Sequence, residues 1–267
     1  MTPNFTLFGP THLITLAALA VCGGAAILAA RRSDEDSRQR LRFGLALALV
    51  ACHLTEYTVA LWQGWYELQM LPLEMCDLAA AFGIYALLTC DLGAVGPAWF
   101  FALSGTLPAL ITPELSLTFP DFRFVVYFLE HGLTVITPLV LVVGLGIVPR
   151  KGSWFRALLA INGFALLDSA LNFALGTNFM YLSHKPNGPT PFDWFGPWPG
   201  YVIVLEVLVL VLFRLLEIPL TLLGAARPDR LRRAEGTRAE EGWEPSRSIS
   251  GDASRSPALR GRISQGS

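Results

Sequence analysis

The stretch that decides the fold of this chain is DFRFVVYFLEHGLTVITP, residues 121–138. It sets two neighbouring ionisable side chains, Glu130 and His131, inside an otherwise apolar run. A charged group at mid-bilayer costs about 2.5 kcal/mol or more, and such groups face a bundle interior or a water-filled cavity. The pair therefore indicates a polar site inside a membrane helix.

The composition of the whole chain agrees with a membrane solvent. Of its 267 residues, 53 % are hydrophobic and 15 % are charged, and the mean hydropathy is +0.48. Apolar runs of about 17 to 25 residues are long enough to cross a bilayer as α-helices. The chain has seven runs of roughly this kind, at residues 10–30, 41–62, 71–90, 96–111, 124–148, 155–175 and 201–223. We predict an all-α, polytopic membrane protein with seven transmembrane helices.

The basic residues predict how these helices are oriented. Short cytoplasmic loops of membrane proteins hold an excess of Lys and Arg. Arg and Lys residues are concentrated after the first run, after the fifth run and after the seventh, whereas the alternate loops hold only Arg123 and Lys185. This alternation predicts an N-terminus outside the cell and a cytoplasmic C-terminus. We expect residues 1–223 to form the transmembrane domain and the polar residues 224–267 to form a disordered cytoplasmic tail.

When the polar residues of the runs are placed on this topology, they fall mainly in the outer third of the membrane. They are His12, His53, Glu56, Glu74, Asp77, Glu130, His131, Asp168, Asn172 and Glu206. Each such group needs a partner or a water-filled cavity in a bilayer. We hypothesise a polar chamber that opens toward the outer leaflet. For His12, Glu74 and Glu206, a position at the membrane interface explains their polarity equally well.

Within this layer, Cys76 and His131 are a candidate nucleophile and general base. Two features oppose that assignment. Acids flank the thiol at Glu74 and Asp77, and Cys76 lies about 200° around a helix from Glu74, so the two cannot both point squarely into one cavity. Packing is the alternative role for Cys76. No His residues have the H-x-x-x-H or H-E-x-x-H spacing, so the sequence predicts no metal site and no cofactor. It also has no nucleotide-binding motif and predicts no nucleic-acid partner.

Several short motifs carry a family resemblance. They are LPLEMC at 71–76, FRF at 122–124 followed by EHG at 130–132, Asn172, NFMYL at 178–182, and GPWPGY at 196–201. With these motifs the chain resembles the YwaF-like bacterial integral membrane proteins, which are distantly related to the eukaryotic transmembrane protein 164 acyltransferase family. The resemblance covers roughly residues 5–220.

The resemblance implies a seven-helix protein of a bacterial inner or plasma membrane. The eukaryotic branch is thought to move fatty acyl groups between lipids with a Cys and a His. On that pattern His131 matches the family histidine, and Asn172, Asn178, Tyr181 and Trp198 match a later motif. The chain departs from the pattern in the third run, where Glu74 stands in place of a histidine.

Two functions stay open at this stage. In the first, the protein is a lipid acyltransferase or hydrolase that acts on a phospholipid, with His131, Cys76, Glu74 and Glu56 as catalytic candidates. In the second, it is a non-catalytic protein that binds or carries a small molecule, coupled to protons. The predicted substrate-binding residues are His53, Asp77, Glu130, Asp168, Asn172, Asn178, Tyr181, Trp198 and Glu206.

Overall fold

The computed structural model describes residues 4–186 and 191–225, and this part of the chain is almost entirely helical. Its α-helices are α1 (Pro10–Arg32), α2 (Glu35–Gln63), α3 (Met75–Thr89), α4 (Leu92–Phe101), α5 (Leu107–Ile111), α6 (Phe122–Leu139), α7 (Ser153–Leu175) and α8 (Gly200–Ala225). The described residues contain no β-strand, only an isolated bridge between Asn4 and Leu117. The all-α prediction is confirmed. Except for residues 224 and 225, which end α8, the predicted tail lies outside the described residues.

Six helical segments are long and apolar enough to cross a membrane, and the 26-residue α8 is a seventh of similar character. The fourth of them is made of α4 and α5, which are joined by a π-helical turn at Ala102–Thr106. A second π turn, Val140–Gly144, continues α6. The helices correspond to the predicted runs, with differences at their ends.

The largest difference is at the start of α2, six residues before the predicted run begins. Asp34 caps this helix, because its Oδ1 accepts a hydrogen bond of 2.9 Å from the backbone N–H of Ser37. Hydrogen bonds from the side chain and the backbone of Ser37 lower the pKa of Asp34, since they stabilise the ionised carboxylate. The arginine-rich stretch predicted as a loop is therefore mostly helix.

Burial separates central helices from peripheral ones. In the most apolar window of each segment, 72 % of residues are buried for α6 with its π turn, against 17 % for α7 and 11 % for α1. The peripheral helices expose large side chains such as Phe173 (93 %) and Leu166 (75 %). An apolar surface of this extent requires lipid around it, since a water-soluble protein does not leave one uncovered. The protein is a multi-pass membrane protein.

Close packing of α3 on α6 positions the polar residues. A Cβ at Gly83 of α3 would lie 3.1 Å from Cγ2 of Thr137 on α6, so the absence of a side chain lets these helices approach. Asp77 lies six residues before Gly83, and His131 lies six residues before Thr137. Odd-numbered membrane segments run in the same direction, so this register brings the start of α3 beside the 130–131 pair.

Candidate functional site

Three titratable side chains from three helices converge where the start of α3 lies beside α6. We call them the His53 cluster. His53 is on α2, Asp77 on α3 and Glu130 on α6. Nε2 of His53 lies 3.2 Å from Oε1 of Glu130 and 3.8 Å from Oδ1 of Asp77. The side chains are 18 %, 14 % and 6 % exposed, respectively, so the cluster is largely shielded from its surroundings.

The ring of His53 is held by its other nitrogen. Nδ1 lies 3.0 Å from the backbone oxygen of Leu49, one turn earlier on α2. A carbonyl oxygen only accepts hydrogen bonds, so Nδ1 carries the proton. In a neutral imidazole, the lone pair of Nε2 then points at the carboxyl groups of the other two cluster residues.

A polar pocket of about 130 Å³ adjoins the cluster. Its lining residues come from α2, the segment before α3, α3 itself and α6. They are Glu56, Tyr57, Gln69, Met70, Leu71, Glu74, Cys76, Asp77, Tyr127, Glu130 and His131. All four candidate catalytic residues predicted from the sequence are in this lining. Lysine and arginine are missing from it in the described part of the chain.

His131 and Cys76 face this same pocket from adjacent helices. Nδ1 of His131 lies 3.0 Å from the backbone oxygen of Tyr127, and its ring stacks on the Tyr127 ring with centroids 4.0 Å apart. The Tyr127 hydroxyl in turn donates to the backbone oxygen of Ala109 at 2.8 Å. These contacts fix the imidazole and assign its proton to Nδ1, which leaves Nε2 of the neutral ring free to accept a proton.

The expectation that Glu74 and Cys76 could not both face one cavity is wrong. The 200° separation assumed that both residues are helical, but Glu74 is the N-cap of α3 and has an extended backbone. Its backbone N–H donates to Oδ2 of Asp77 at 2.9 Å, which forms half of a capping box. Glu74 and Asp77 therefore place two acidic side chains at the N-terminus of α3, where they stabilise the helix.

Glu74 also ties the pocket to the loop after α7, residues 176–186, which we call the asparagine loop. Oε1 of Glu74 accepts from the side chain of Gln69 at 3.0 Å, and Oε2 accepts from the backbone N–H of Met180 at 3.0 Å. Gln69 reaches the same loop, since its Oε1 accepts from the backbone N–H of Asn178 at 2.9 Å.

The two asparagines predicted as binding residues organise this loop. Oδ1 of Asn172 accepts from Thr177 Oγ1 and from the Phe179 N–H, and its Nδ2 donates to the Phe179 carbonyl. Oδ1 of Asn178 accepts from the backbone N–H groups of Ser183 and His184. Both side chains thus bond to residues of the asparagine loop.

Tyr181 and Trp198, the two aromatic residues predicted to bind substrate, also form hydrogen bonds in or next to the asparagine loop. The Tyr181 hydroxyl donates to Oε2 of Glu114 at 2.7 Å, and burial raises the pKa of that hydroxyl. Trp198 is 61 % exposed, and its Nε1–H donates to the backbone oxygen of Leu182 at 3.1 Å. Neither residue lines the polar pocket.

Three other polar residues of the predicted layer lie apart from the pocket. Asp168 is fully buried on α7, and neither carboxylate oxygen has a hydrogen-bond partner among the described residues. Glu206 of α8 accepts from Nδ2 of Asn162 on α7 at 2.9 Å. His12 is fully buried between the Phe8 N–H and the Leu110 carbonyl. The predicted layer thus divides into a pocket and several separate contacts.

Sequence reasoning missed Tyr127 and Gln69. Tyr127 lies four residues before His131, and this spacing on a helix would have indicated that the two rings are neighbours. Gln69 precedes α3 in a short 3₁₀ turn, Leu68–Met70, and no local pattern marks it.

Comparison with models of known protein families shows which family this chain belongs to. The model of the TMEM164 family matches residues 7–217, which is most of the chain and includes the whole pocket. The chain belongs to the TMEM164 family. No curated protein and no solved structure matches this TMEM164 family chain.

Proposed function

We propose that this TMEM164 family protein is a lipid acyltransferase or hydrolase, with Cys76 as the nucleophile and His131 as the general base. The observation that carries the proposal is that the thiol and the imidazole line one small pocket on adjacent helices. A nucleophile and a base within reach of one substrate atom are the minimum arrangement for covalent acyl transfer.

The proposed reaction has two steps. His131 Nε2 takes the proton of the Cys76 thiol, and the thiolate attacks the carbonyl carbon of a lipid ester. The ester C–O bond breaks, the leaving alcohol receives the proton from His131, and the acyl group remains on Cys76 as a thioester. A second lipid alcohol or a water molecule then attacks the thioester, its proton passes to His131, and the thiol is restored.

The size of the pocket limits what part of the substrate it holds. Sites that enclose a whole drug-sized ligand measure about 300–1,000 Å³. At about 130 Å³, this pocket has room for the ester group and a few water molecules only. The acyl chains of a phospholipid would lie along the exposed apolar helix faces, which is compatible with entry from the lipid.

The experiment uses the full-length protein in phospholipid vesicles that contain a lipid with an isotope-labelled acyl chain, with products measured by mass spectrometry. We expect Cys76→Ala to abolish transfer and His131→Ala to lower the rate about 100-fold or more. Cys22→Ala, which removes an exposed thiol from α1, is the matched control and should keep the wild-type rate. Wild-type activity in Cys76→Ala would contradict the proposed nucleophile.

A second candidate function rests on the buried acids. Asp168 is fully buried without a partner among the described residues, and a carboxyl group in that position suits proton exchange in a carrier. In that case the protein binds or carries a small molecule, uptake depends on His131, and Cys76→Ala has no effect. The same set of variants therefore separates the two candidates.

The proposed function also includes the membrane in which the protein lies and the orientation of its termini. We infer a bacterial inner or plasma membrane protein of the YwaF-like branch, with the N-terminus outside and the C-terminus in the cytoplasm. In support, Nε of Arg31, at the basic end of α1, donates to the backbone oxygen of Val143 at 3.0 Å. This contact joins the ends of two segments that the charge pattern assigns to the cytoplasmic side. Cysteine labelling from either side of the membrane would test it.

A further inference from the structure

The atoms of the His53 cluster face one another in a way that needs a positive charge between them. The Leu49 carbonyl fixes the proton of His53 on Nδ1, so Nε2 of the neutral ring has only a lone pair to offer. Yet Nε2 lies 3.2 Å and 3.8 Å from two carboxylate oxygens, which also carry lone pairs. Three acceptors at these distances repel one another unless a cation or a shared proton lies between them.

Apart from a second proton on His53 itself, no side chain on the pocket wall supplies that charge. Glu56 also lies beside Glu130, which brings a third carboxyl group to the cluster. The pocket lining, as far as the structure describes it, contains neither lysine nor arginine. Buried charges persist only when they are paired or when they bind metals. With a neutral His53 ring, the cluster therefore lacks a positive charge that a bound cation would supply.

The spacing of the atoms fits a metal ion. Ligands about 2.0–2.1 Å from a tetrahedral zinc ion lie about 3.3 Å from one another. The three cluster atoms lie within 4.8 Å of one another, and the closest two are 3.2 Å apart. Small rotations of the carboxyl groups would bring all three into the coordination sphere.

The surrounding hydrogen bonds have the form expected around metal ligands. A ligating histidine usually donates its other N–H to a carbonyl or carboxylate, and ligating carboxylates are themselves hydrogen-bonded. His53 donates from Nδ1 to Leu49, and Oδ2 of Asp77 accepts from the Glu74 N–H at 2.9 Å. In each residue the outer atom is held and the inner atom is left free.

We propose that His53 Nε2, Asp77 Oδ1 and Glu130 Oε1 are the three protein ligands of a divalent transition-metal ion. One imidazole and two carboxylates suit Zn²⁺ or Mn²⁺ better than Mg²⁺, which prefers oxygen ligands and bound water. Three protein ligands leave a fourth position, and Asp77 and Glu130 both line the polar pocket, so that position opens toward it. The sequence predicted no metal because the ligands come from three helices and have no local spacing.

The proposal stands independently of acyl transfer, and its test measures binding alone. Full-length protein is purified in detergent with a chelator, equilibrated with a series of Zn²⁺ concentrations and separated from free metal. Zinc per chain is then measured by mass spectrometry at each concentration, which gives the stoichiometry and Kd. We expect about one Zn²⁺ per wild-type chain. For Glu130→Gln and Asp77→Asn we expect Kd to rise by more than the roughly 10- to 100-fold that loss of an outer-shell partner costs.

Two control variants make the result specific. Glu206→Gln makes the same chemical change on α8, away from the pocket lining, and should bind Zn²⁺ as the wild type does. Cys76→Ala should also bind Zn²⁺ normally, so failure of the nucleophile and failure of the metal site are distinguishable. Asparagine at position 77 still offers an oxygen to the Glu74 N–H, which keeps the cap of α3.

The outcomes are separable. Binding lost in Glu130→Gln and kept in both controls supports the site. Wild-type protein that binds no more Zn²⁺ than Glu130→Gln, with both variants folded by circular dichroism, overturns it and leaves a shared proton as the bridging charge. A Mg²⁺ titration that competes equally with Zn²⁺ would also overturn it, because the imidazole ligand would then contribute nothing.

Discussion

The polar pocket and the asparagine loop adjoin at Glu74, but they differ in how their polar atoms are satisfied. At the asparagine loop, Thr177 and Phe179 use three of the four hydrogen-bonding positions of Asn172. In the pocket and the adjoining His53 cluster, Nε2 of His53 faces two carboxyl groups, and His131 lines the cavity. The loop is built for stability, whereas the pocket keeps unused capacity for a ligand.

This difference corrects how polar residues in apolar segments are interpreted. The sequence places Asn172 and Glu130 in one polar layer, since both interrupt apolar runs. Their roles differ because hydrogen-bond saturation depends on neighbours that the sequence does not identify. Substitutions in the loop should therefore change stability, and substitutions in the pocket should change function.

The largest effect that tests this division is expected from Asn172→Ala. It leaves the backbone N–H and carbonyl of Phe179 without their partner in a buried site, and an unsatisfied buried group costs about 1–3 kcal/mol. We expect the free energy of unfolding to fall by about 2–4 kcal/mol, measured by denaturant titration of detergent-solubilised protein.

The control is Asn162→Ala, which removes the same side chain from the same helix. Its amide bonds Glu206 at an exposed position and the Leu158 carbonyl one turn earlier. Hydrogen bonds between membrane helices average about 0.6 kcal/mol, so the loss should be several times smaller. Equal losses in the two variants would show that the loop network does not stabilise the fold. If Asn172→Ala stays fully stable and loses activity, the asparagine belongs to the site.

A smaller effect is expected from Glu74→Gln, where the two regions meet. Glutamine keeps one acceptor oxygen for the Met180 N–H but loses the second, which accepts from Gln69. One lost hydrogen bond to a charged group is worth about 1.5–3 kcal/mol, and the glutamine amide regains part of this. We expect a fall of about 1 kcal/mol in the free energy of unfolding, together with a lower rate of acyl transfer.

The Glu74 result separates two roles. If the rate falls and the stability does not, Glu74 acts in the pocket alone. If the stability falls and the rate per folded molecule does not, Glu74 is only a cap and a tether for the loop. Glu67→Gln, in the same segment before α3, is the matched control, since Glu67 is not in the pocket lining.

Hydropathy was enough to predict the fold, because lipid imposes a length and an apolar character on every spanning helix. The ends of the helices were harder to predict. Helix α2 begins at Glu35 because Asp34 caps it, and the pattern of Asp34 with Ser37 was visible in the sequence. The search for apolar runs missed this helix start, because the part of a helix that lies outside the membrane can be polar without a desolvation cost.

The candidate site was predictable by residue type and not by arrangement. His53, Asp77 and Glu130 were each identified as polar residues of membrane helices. Their convergence depends on the close approach of α3 and α6 at Gly83 and Thr137, which no local spacing indicates. For the same reason, the sequence could not distinguish the pocket from the separate pair that Glu206 forms with Asn162.

The smallest effect concerns that pair, and it tests how far the functional region extends. Glu206 was predicted to bind substrate, and in the structure its carboxylate accepts from Asn162 at the exposed face between α7 and α8. We expect Glu206→Ala to lower the free energy of unfolding by about 0.6 kcal/mol. Glu206→Gln keeps an acceptor for the same amide and should change the free energy of unfolding less.

Because this pair is not in the pocket lining, Glu206→Ala and Glu206→Gln should both transfer acyl groups within twofold of the wild-type rate. Both Glu206→Ala and Asn162→Ala remove the same hydrogen bond, but only Glu206→Ala also removes the carboxylate charge. A larger loss of rate in Glu206→Ala than in Asn162→Ala would therefore show that the substrate path extends from the pocket to the exposed face of α8.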